Sequence, residues 1–159
     1  MSSWFERFGF ARVGERLLIG AYPTDAADVE LIARQDVDAL YNLCENREYE
    51  DGERDVVETA LHAHGVEERR LPLVDYGGLD VDQLDRAVGE VEAWLEDGRT
   101  VYLHCRAGWQ RSATVAAGVV ARREGLDIDE ALRVVRDRKP TAEPLPHQRA
   151  DLVRWWDGV

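Results

Sequence analysis

Cys105 and Arg111 enclose five residues in the stretch LHCRAGWQRSA, Leu103 to Ala113. At that spacing a loop can curl around a phosphate-sized oxyanion, with backbone N–H groups pointing inward and the Arg111 fork taking two equatorial oxygens. Gly108 permits a backbone turn that a side chain would obstruct. Apolar TVYL (Thr100 to Leu103) runs into the loop and reads as a short buried strand. SATVAAGVVARR (Ser112 to Arg123) runs out of it and reads as a helix packed with Ala and Val. A helix N-terminus offers unpaired N–H groups and the positive end of a dipole, so this turn is an anion site. Thiol pKa values at such positions fall to roughly 3.5–7.5, so Cys105 is expected to be ionised at neutral pH and ready to attack phosphorus. Ser112 stands where its hydroxyl could donate to the sulfur and ease its departure. His104 reads as a brace for the loop, not as a base. Arg106 and Trp109 are expected at the rim, and Ala107 and Gln110 complete a phosphate-binding loop from His104 to Arg111. A buried core thiol would leave the flanking glycine and arginines unexplained.

HCRAGWQRS resembles the His-Cys-x5-Arg-Ser/Thr loop of cysteine-dependent phosphatases, in the dual-specificity branch of the tyrosine phosphatase superfamily. The resemblance extends to LLIGAYP, DALYNLCENREYE, LPLVDYGG and the helices after the loop. YNLCENREYE is similar to the corresponding stretch of phosphatase-and-tensin-type and mitochondrial lipid-phosphatase relatives. The resemblance implies a phosphotyrosine protein phosphatase-like fold and a two-step phosphomonoester hydrolysis through a phosphocysteine, with no metal and no cofactor. It also implies an acid for the leaving oxygen, and Asp75, thirty residues before Cys105 and beside Tyr76-Gly77-Gly78, matches that aspartate. A positioned acid is worth roughly 10²–10⁴ in rate. Asp80 and Asp82 compete for the role but read better as helix-start residues. Trp109-Gln110 departs from the small or basic residues common at those positions. The lack of a loop lysine weakens any preference for inositol phospholipids and leaves a loop suited to a single phosphomonoester.

The elements that must hold this loop alternate along the chain. RVGERLLIGAYP reads as a strand pair ended by Pro23. Thr24 or Asp25 caps a helix, Val37 to Cys44 reads as a strand, and RDVVETALHAHG is a helix stopped at Gly65. Val66 to Asp75 reads as another strand, followed by a flexible YGG turn. A helix from Asp80, with Gln83 at capping-box spacing, ends at Gly98. Asp127 caps a further helix, and the last lies near HQRADLVRWWD. The pattern predicts an α/β fold with a central, mostly parallel sheet flanked by helices, and residues 1–159 as one domain. MSSWFERFGF, holding all three phenylalanines, is expected to fold back onto the domain. The alternative, an amphipathic membrane foot, is short and weakly basic.

Composition narrows the classes. The chain carries 32 acidic and 20 basic residues, a formal charge of −12, and Lys139 is its only lysine. An acidic, lysine-poor surface suits a cytoplasm at high salt, where like charges are screened within a few ångströms, and a GC-rich genome would produce the same Arg-for-Lys trade. No basic stripe suggests a nucleic-acid partner, and no apolar run suggests stable membrane insertion, so the expected location is cytoplasmic and the expected partner a phosphorylated protein or small phosphomonoester. Two cysteines are too few for a disulfide framework. Cys44, ending LYNLC, is either a small buried hydrophobe or a redox partner that shields Cys105. His62 and His64 do not share a helix face, His147 reads as fixing a turn, and Trp155 and Trp156 as packing. Three rivals to a protein phosphatase remain: a phospholipid head-group phosphatase acting on phosphatidylglycerophosphate-like lipids, a rhodanese-type sulfur transferase, and a non-catalytic phosphate-binding module. Short loops predict a shallow pocket of broad specificity.

Overall fold

A computed structural model describes residues 1–158; Val159, the end of the expected domain, lies outside the described residues. Five strands form one sheet in the order β1-β2-β5-β3-β4. They are β1 (Phe10–Gly14), β2 (Leu17–Gly20), β3 (Ala39–Asn42), β4 (Glu67–Arg70) and β5 (Val101–His104). β1 runs antiparallel to β2 at one edge, and every other pairing is parallel. The expected strand pair before Pro23 is therefore β1–β2, and the mostly parallel sheet is as the alternation predicts.

Strand residues alternate between two cores. Leu17, Ile19, Tyr41 and Leu103 face one side, while Leu18, Leu40 and Tyr102 face the other. α4 (Val81–Glu96), α5 (Arg111–Glu124), α6 (Ile128–Arg138) and α7 (Pro146–Gly158) cover the first face, and α2 (Ala26–Ala33) and α3 (Glu53–Ala63) the second. With both faces covered, the central strands are buried throughout. Asp25, Asp80 and Asp127 cap α2, α4 and α6, each accepting from the N–H three residues on. Asp80 and Gln83 close the expected capping box. Both strands expected to run long are cut short. The Asn42 carboxamide oxygen takes the Cys44 N–H at 2.8 Å and turns the chain out of β3, and Pro72 has no N–H with which to extend β4.

The parallel arrangement brings the C-terminal ends of β2, β5, β3 and β4 to one rim, where α/β sheets place their ligands. The Tyr22 segment, the Cys105 loop, the Cys44–Glu48 segment and the Leu73–Asp75 segment emerge there. The N-terminal aromatic stretch folds back as expected, but as a helix, α1 (Ser3–Phe8), with Phe5 buried in the second core and Ser2 tied to the buried Asp28 carboxylate.

Candidate active site

The loop between β5 and α5 is held so that its carbonyls turn outward. The Cys105 carbonyl accepts from His104 Nδ1–H at 3.0 Å, and the Gln110 carbonyl from both N–H and Oγ1–H of Thr114. The Arg106 carbonyl takes the Tyr22 N–H at 3.0 Å and the Trp4 indole N–H at 2.8 Å. Across the loop, the Trp109 carbonyl takes the Glu143 N–H at 2.7 Å. With these acceptors engaged on the outside, the loop's own N–H groups are left for the inside, the arrangement an anion nest requires. α5 has no side-chain cap of its own, and the backbone N–H groups of Ser112 and Gln110 help to lower the pKa of the Cys105 thiol. Gly108 has φ +74°, and a Cβ there would lie 2.6 Å from the Gly20 carbonyl carbon. Glycine is thus demanded both by the turn and by the packing of the loop on β2.

Cys105 is 3% exposed, and burial alone would raise its pKa. The Arg111 guanidinium, the Ser112 hydroxyl with Oγ 3.3 Å from Sγ, and the two backbone N–H groups outweigh that penalty and hold the thiol below its ordinary value. His104 is wholly buried, which lowers its pKa to about 4, so the ring is neutral at pH 7 and braces the loop through Nδ1–H. Its Nε2 is buried without a protein partner.

Arg111 is the best-anchored charge in the site. Its Nη1 donates to Glu48 Oε2 at 2.9 Å and to the Leu73 and Leu43 carbonyls at 2.9 and 3.3 Å. Its Nη2 donates to Glu48 Oε1 at 2.7 Å and pairs with Asp75 Oδ1 at 3.1 Å. Nε–H alone is buried with no protein partner. Burial raises the Glu48 pKa, but the Arg111 fork and the Glu45 N–H more than reverse this, so the carboxylate stays ionised. Glu48 was invisible as a site residue in the sequence. It sits in a 3-10 turn, Asn46–Glu48, within an acidic stretch, and nothing in its spacing sets it apart from Glu45 or Glu50.

Asp75 lies over the same fork, on the loop after β4. That loop is not the free turn its glycines suggest. α7 ties it down through His147 Nε2–H to the Tyr76 carbonyl (2.8 Å), Gln148 Nε2–H to the Gly77 carbonyl (2.9 Å), and Asp151 accepting the Leu79 N–H (2.9 Å). Asp80 is engaged as the α4 cap and Asp82 lies in the first turn of that helix, the helix-start places expected for them. Cys44 is buried, with Sγ 4.0 Å from His104 Nδ1, and burial together with Glu48 and Cys105 keeps its thiol protonated.

The resulting cleft measures about 350 Å³ and contains Cys105, Arg111, Asp75 and the rim residues Arg106 and Trp109. It has a wall no loop length foretold: Trp4, Arg7 and Phe8 of α1 line it too. Phe8 meets Trp109 edge-on at 5.2 Å and Trp4 at 4.4 Å. His62 and His64, at the end of α3, and Trp155, buried under α5, take no part.

Comparison with known proteins agrees with this geometry. The dual specificity phosphatase catalytic domain matches residues 17–157. Mouse dual specificity phosphatase 28 is 31% identical over 136 residues, covering 85% of this chain and 76% of that protein. Human phosphatidylglycerophosphatase and protein-tyrosine phosphatase 1 is 29% identical over 127 residues, covering 79% of this chain and 62% of its own length. Among solved structures, Tk-PTP in its active form superposes with a TM-score of 0.81 at 27% identity, over 94% of this chain and 97% of that one. The match over residues 17–157, with a loop that lowers the pKa of one thiol beside a buried arginine, places the chain in the dual specificity phosphatase catalytic domain family, as a cysteine-dependent phosphatase.

Proposed function

We propose that the chain hydrolyses phosphorylated proteins, phosphotyrosine among them, with Cys105, Asp75, Arg111 and Ser112 in distinct roles. The carrying observation is the convergence on one cleft of a thiol held below its ordinary pKa, a buried Arg111 Nε–H with no protein partner, and the Asp75 carboxyl on the same guanidinium. A substrate dianion sits in the loop, its oxygens held by the inward N–H groups and by Arg111. It also competes with Asp75 for Nη2, which frees that carboxyl to take a proton and turn towards the leaving oxygen. Cys105 Sγ attacks phosphorus, the P–O ester bond breaks, and Asp75 delivers its proton to the departing oxygen. In the second step the Asp75 carboxylate takes a proton from water and the water oxygen attacks phosphorus. The S–P bond breaks, the Ser112 hydroxyl donates to the leaving thiolate, and inorganic phosphate departs. The charge on the phosphoryl group is met by the loop and by an Arg111 already fixed in place, which lowers reorganisation during the reaction.

A net charge of −12 argues against a nucleic-acid partner, and a cysteine nucleophile that must stay reduced suits a reducing cytoplasm. A lipid head-group phosphate is the second reading, supported by the similarity to a relative named for both activities. Phosphate release in molar KCl, from a phosphotyrosyl peptide and from phosphatidylglycerophosphate micelles side by side, tests both, with Cys105→Ser as blank. Peptide turnover above lipid turnover is expected, and the reverse order assigns the chain to lipid substrates. Equal readings from wild type and blank on both would overturn the catalytic reading.

A further inference from the structure

The cleft holds two cations that the phosphate does not need. Arg106 lies with its guanidinium 4.9 Å from the Trp4 ring and 5.9 Å from the Tyr22 ring, and its Nε is buried without a protein partner. Arg7, one turn along α1, lies 5.1 Å over the Phe8 ring. Both line the same cleft as Cys105. Neither forms an ion pair among the described residues, although the chain has 32 acidic side chains and pairs Arg111 twice. Trp4 and Phe8 are in contact at 4.4 Å, so the two rings lie between the two cations along the wall: Arg106, Trp4, Phe8, Arg7. Ring faces orient a guanidinium without neutralising it. The result is a positioned positive edge with no ion pair of its own, beside the phosphate loop of a strongly acidic protein.

We propose that Arg7, with Arg106, forms a second anion subsite that reads an acidic residue flanking the phosphorylated residue of a peptide substrate. This deepens the reading of function above and rests on it. The loop alone offers a place for one dianion; the second place comes from α1, whose arginine reaches the cleft only because Trp4 hydrogen-bonds the Arg106 carbonyl and Phe5 is anchored in the core. A peptide carrying one or two carboxylates enters a local positive field, whereas an extended anionic membrane would face the whole −12 chain. The exposed rings of Trp109 and Tyr76 at the mouth suit the body of a peptide side chain.

The test compares kcat/KM for two phosphotyrosyl peptides, one with Asp and Glu beside the phosphotyrosine and one with Asn and Gln, at about 0.1 M KCl, where screening extends over roughly 10 Å. Wild type is expected to favour the acidic peptide by up to about fivefold, the upper end of what one exposed ion pair supplies. Arg7→Gln should bring that ratio to about one, Arg7→Glu should invert it, and Arg7→Lys should preserve most of it. In molar KCl, with screening within about 3 Å, the wild-type preference should shrink towards one. An unchanged ratio in Arg7→Gln, with thermal stability intact, overturns the subsite. An Arg7 dependence found only with phosphatidylglycerophosphate micelles reassigns the second anion to a lipid and overturns the peptide assignment. Turnover of neither peptide above the Cys105→Ser blank overturns the functional reading itself, a different result from turnover with equal ratios.

Discussion

Glu48→Gln separates the positioning of Arg111 from the chemistry it serves. Glu48 and Arg111 form a two-pronged pair at 2.9 and 2.7 Å, with side chains 6% and 1% exposed. Removing one charge from a buried pair costs about 3–5 kcal/mol. Arg111 would keep Asp75 and the Leu43 and Leu73 carbonyls, and the amide could still accept one bond, so about 2–3 kcal/mol is the working figure. For a chain of this size that lowers Tm by about 4–12 °C. A fork displaced by about 1 Å from its anion costs up to about a hundredfold in rate, so kcat/KM should fall between tenfold and a hundredfold. The pH dependence has a definite sign. Glu48 has a folded pKa below its unfolded value near 4.3, so its contribution is complete above that value and is lost as pH falls through the folded pKa. The Tm gap between wild type and Glu48→Gln, measured by calorimetry from pH 7 downward, should therefore be widest at neutral pH and close in acid. A gap below about 1 °C at pH 7 with kcat/KM within about twofold of wild type would refute the anchoring role.

Ser112→Ala should raise the Cys105 pKa by about one to two units, since a hydrogen bond to a charged group is worth about 1.5–3 kcal/mol; the pH profile of iodoacetamide alkylation reads it, and an unmoved midpoint counts against the contact. Gly108→Ala places a side chain against Gly20 at positive φ, so activity should fall by more than about a hundredfold, together with a loss of Tm; near-wild-type turnover would show that the loop packs otherwise. Gln148→Ala loosens the Asp75 loop, so kcat should fall several-fold for an alkyl phosphate, whose leaving oxygen needs a proton, and less for p-nitrophenyl phosphate; equal losses would deny Gln148 a positioning role. Because His104 has a folded pKa of about 4 against roughly 6.5 unfolded, it contributes a loss of stability as pH falls from about 6.5 to about 4, and histidine NMR should find its ring mostly neutral until the pH nears 4.

Much of the site was legible because its parts lie in one short segment whose geometry follows from spacing. The distance from Cys105 to Arg111, the glycine between them and the helix behind them define an anion nest without tertiary information. The sheet was legible for a similar reason: short apolar strands separated by capped helices admit few arrangements. Contributions made across the fold were not. Glu48 differs from Glu45 or Glu50 only in where the 3-10 turn points it. The Tyr76-Gly77-Gly78 stretch looks free until α7 folds back and supplies His147, Gln148 and Asp151. α1 looks like an aromatic tail until the Trp4 indole finds the Arg106 carbonyl, a partner 102 residues away. Strand ends erred where one side chain or one proline, Asn42 or Pro72, overrode an otherwise continuous pattern.

The central claim is that phosphorus passes through the Cys105 sulfur. Ser112→Ala, expected to slow departure of the thiolate, should be mixed with p-nitrophenyl phosphate, quenched in acid within milliseconds, digested and mapped by mass spectrometry. A phosphoryl group on the peptide containing Cys105, gone in Cys105→Ser, is the predicted result. Continued phosphate release with no adduct, or an adduct on His104, would contradict it.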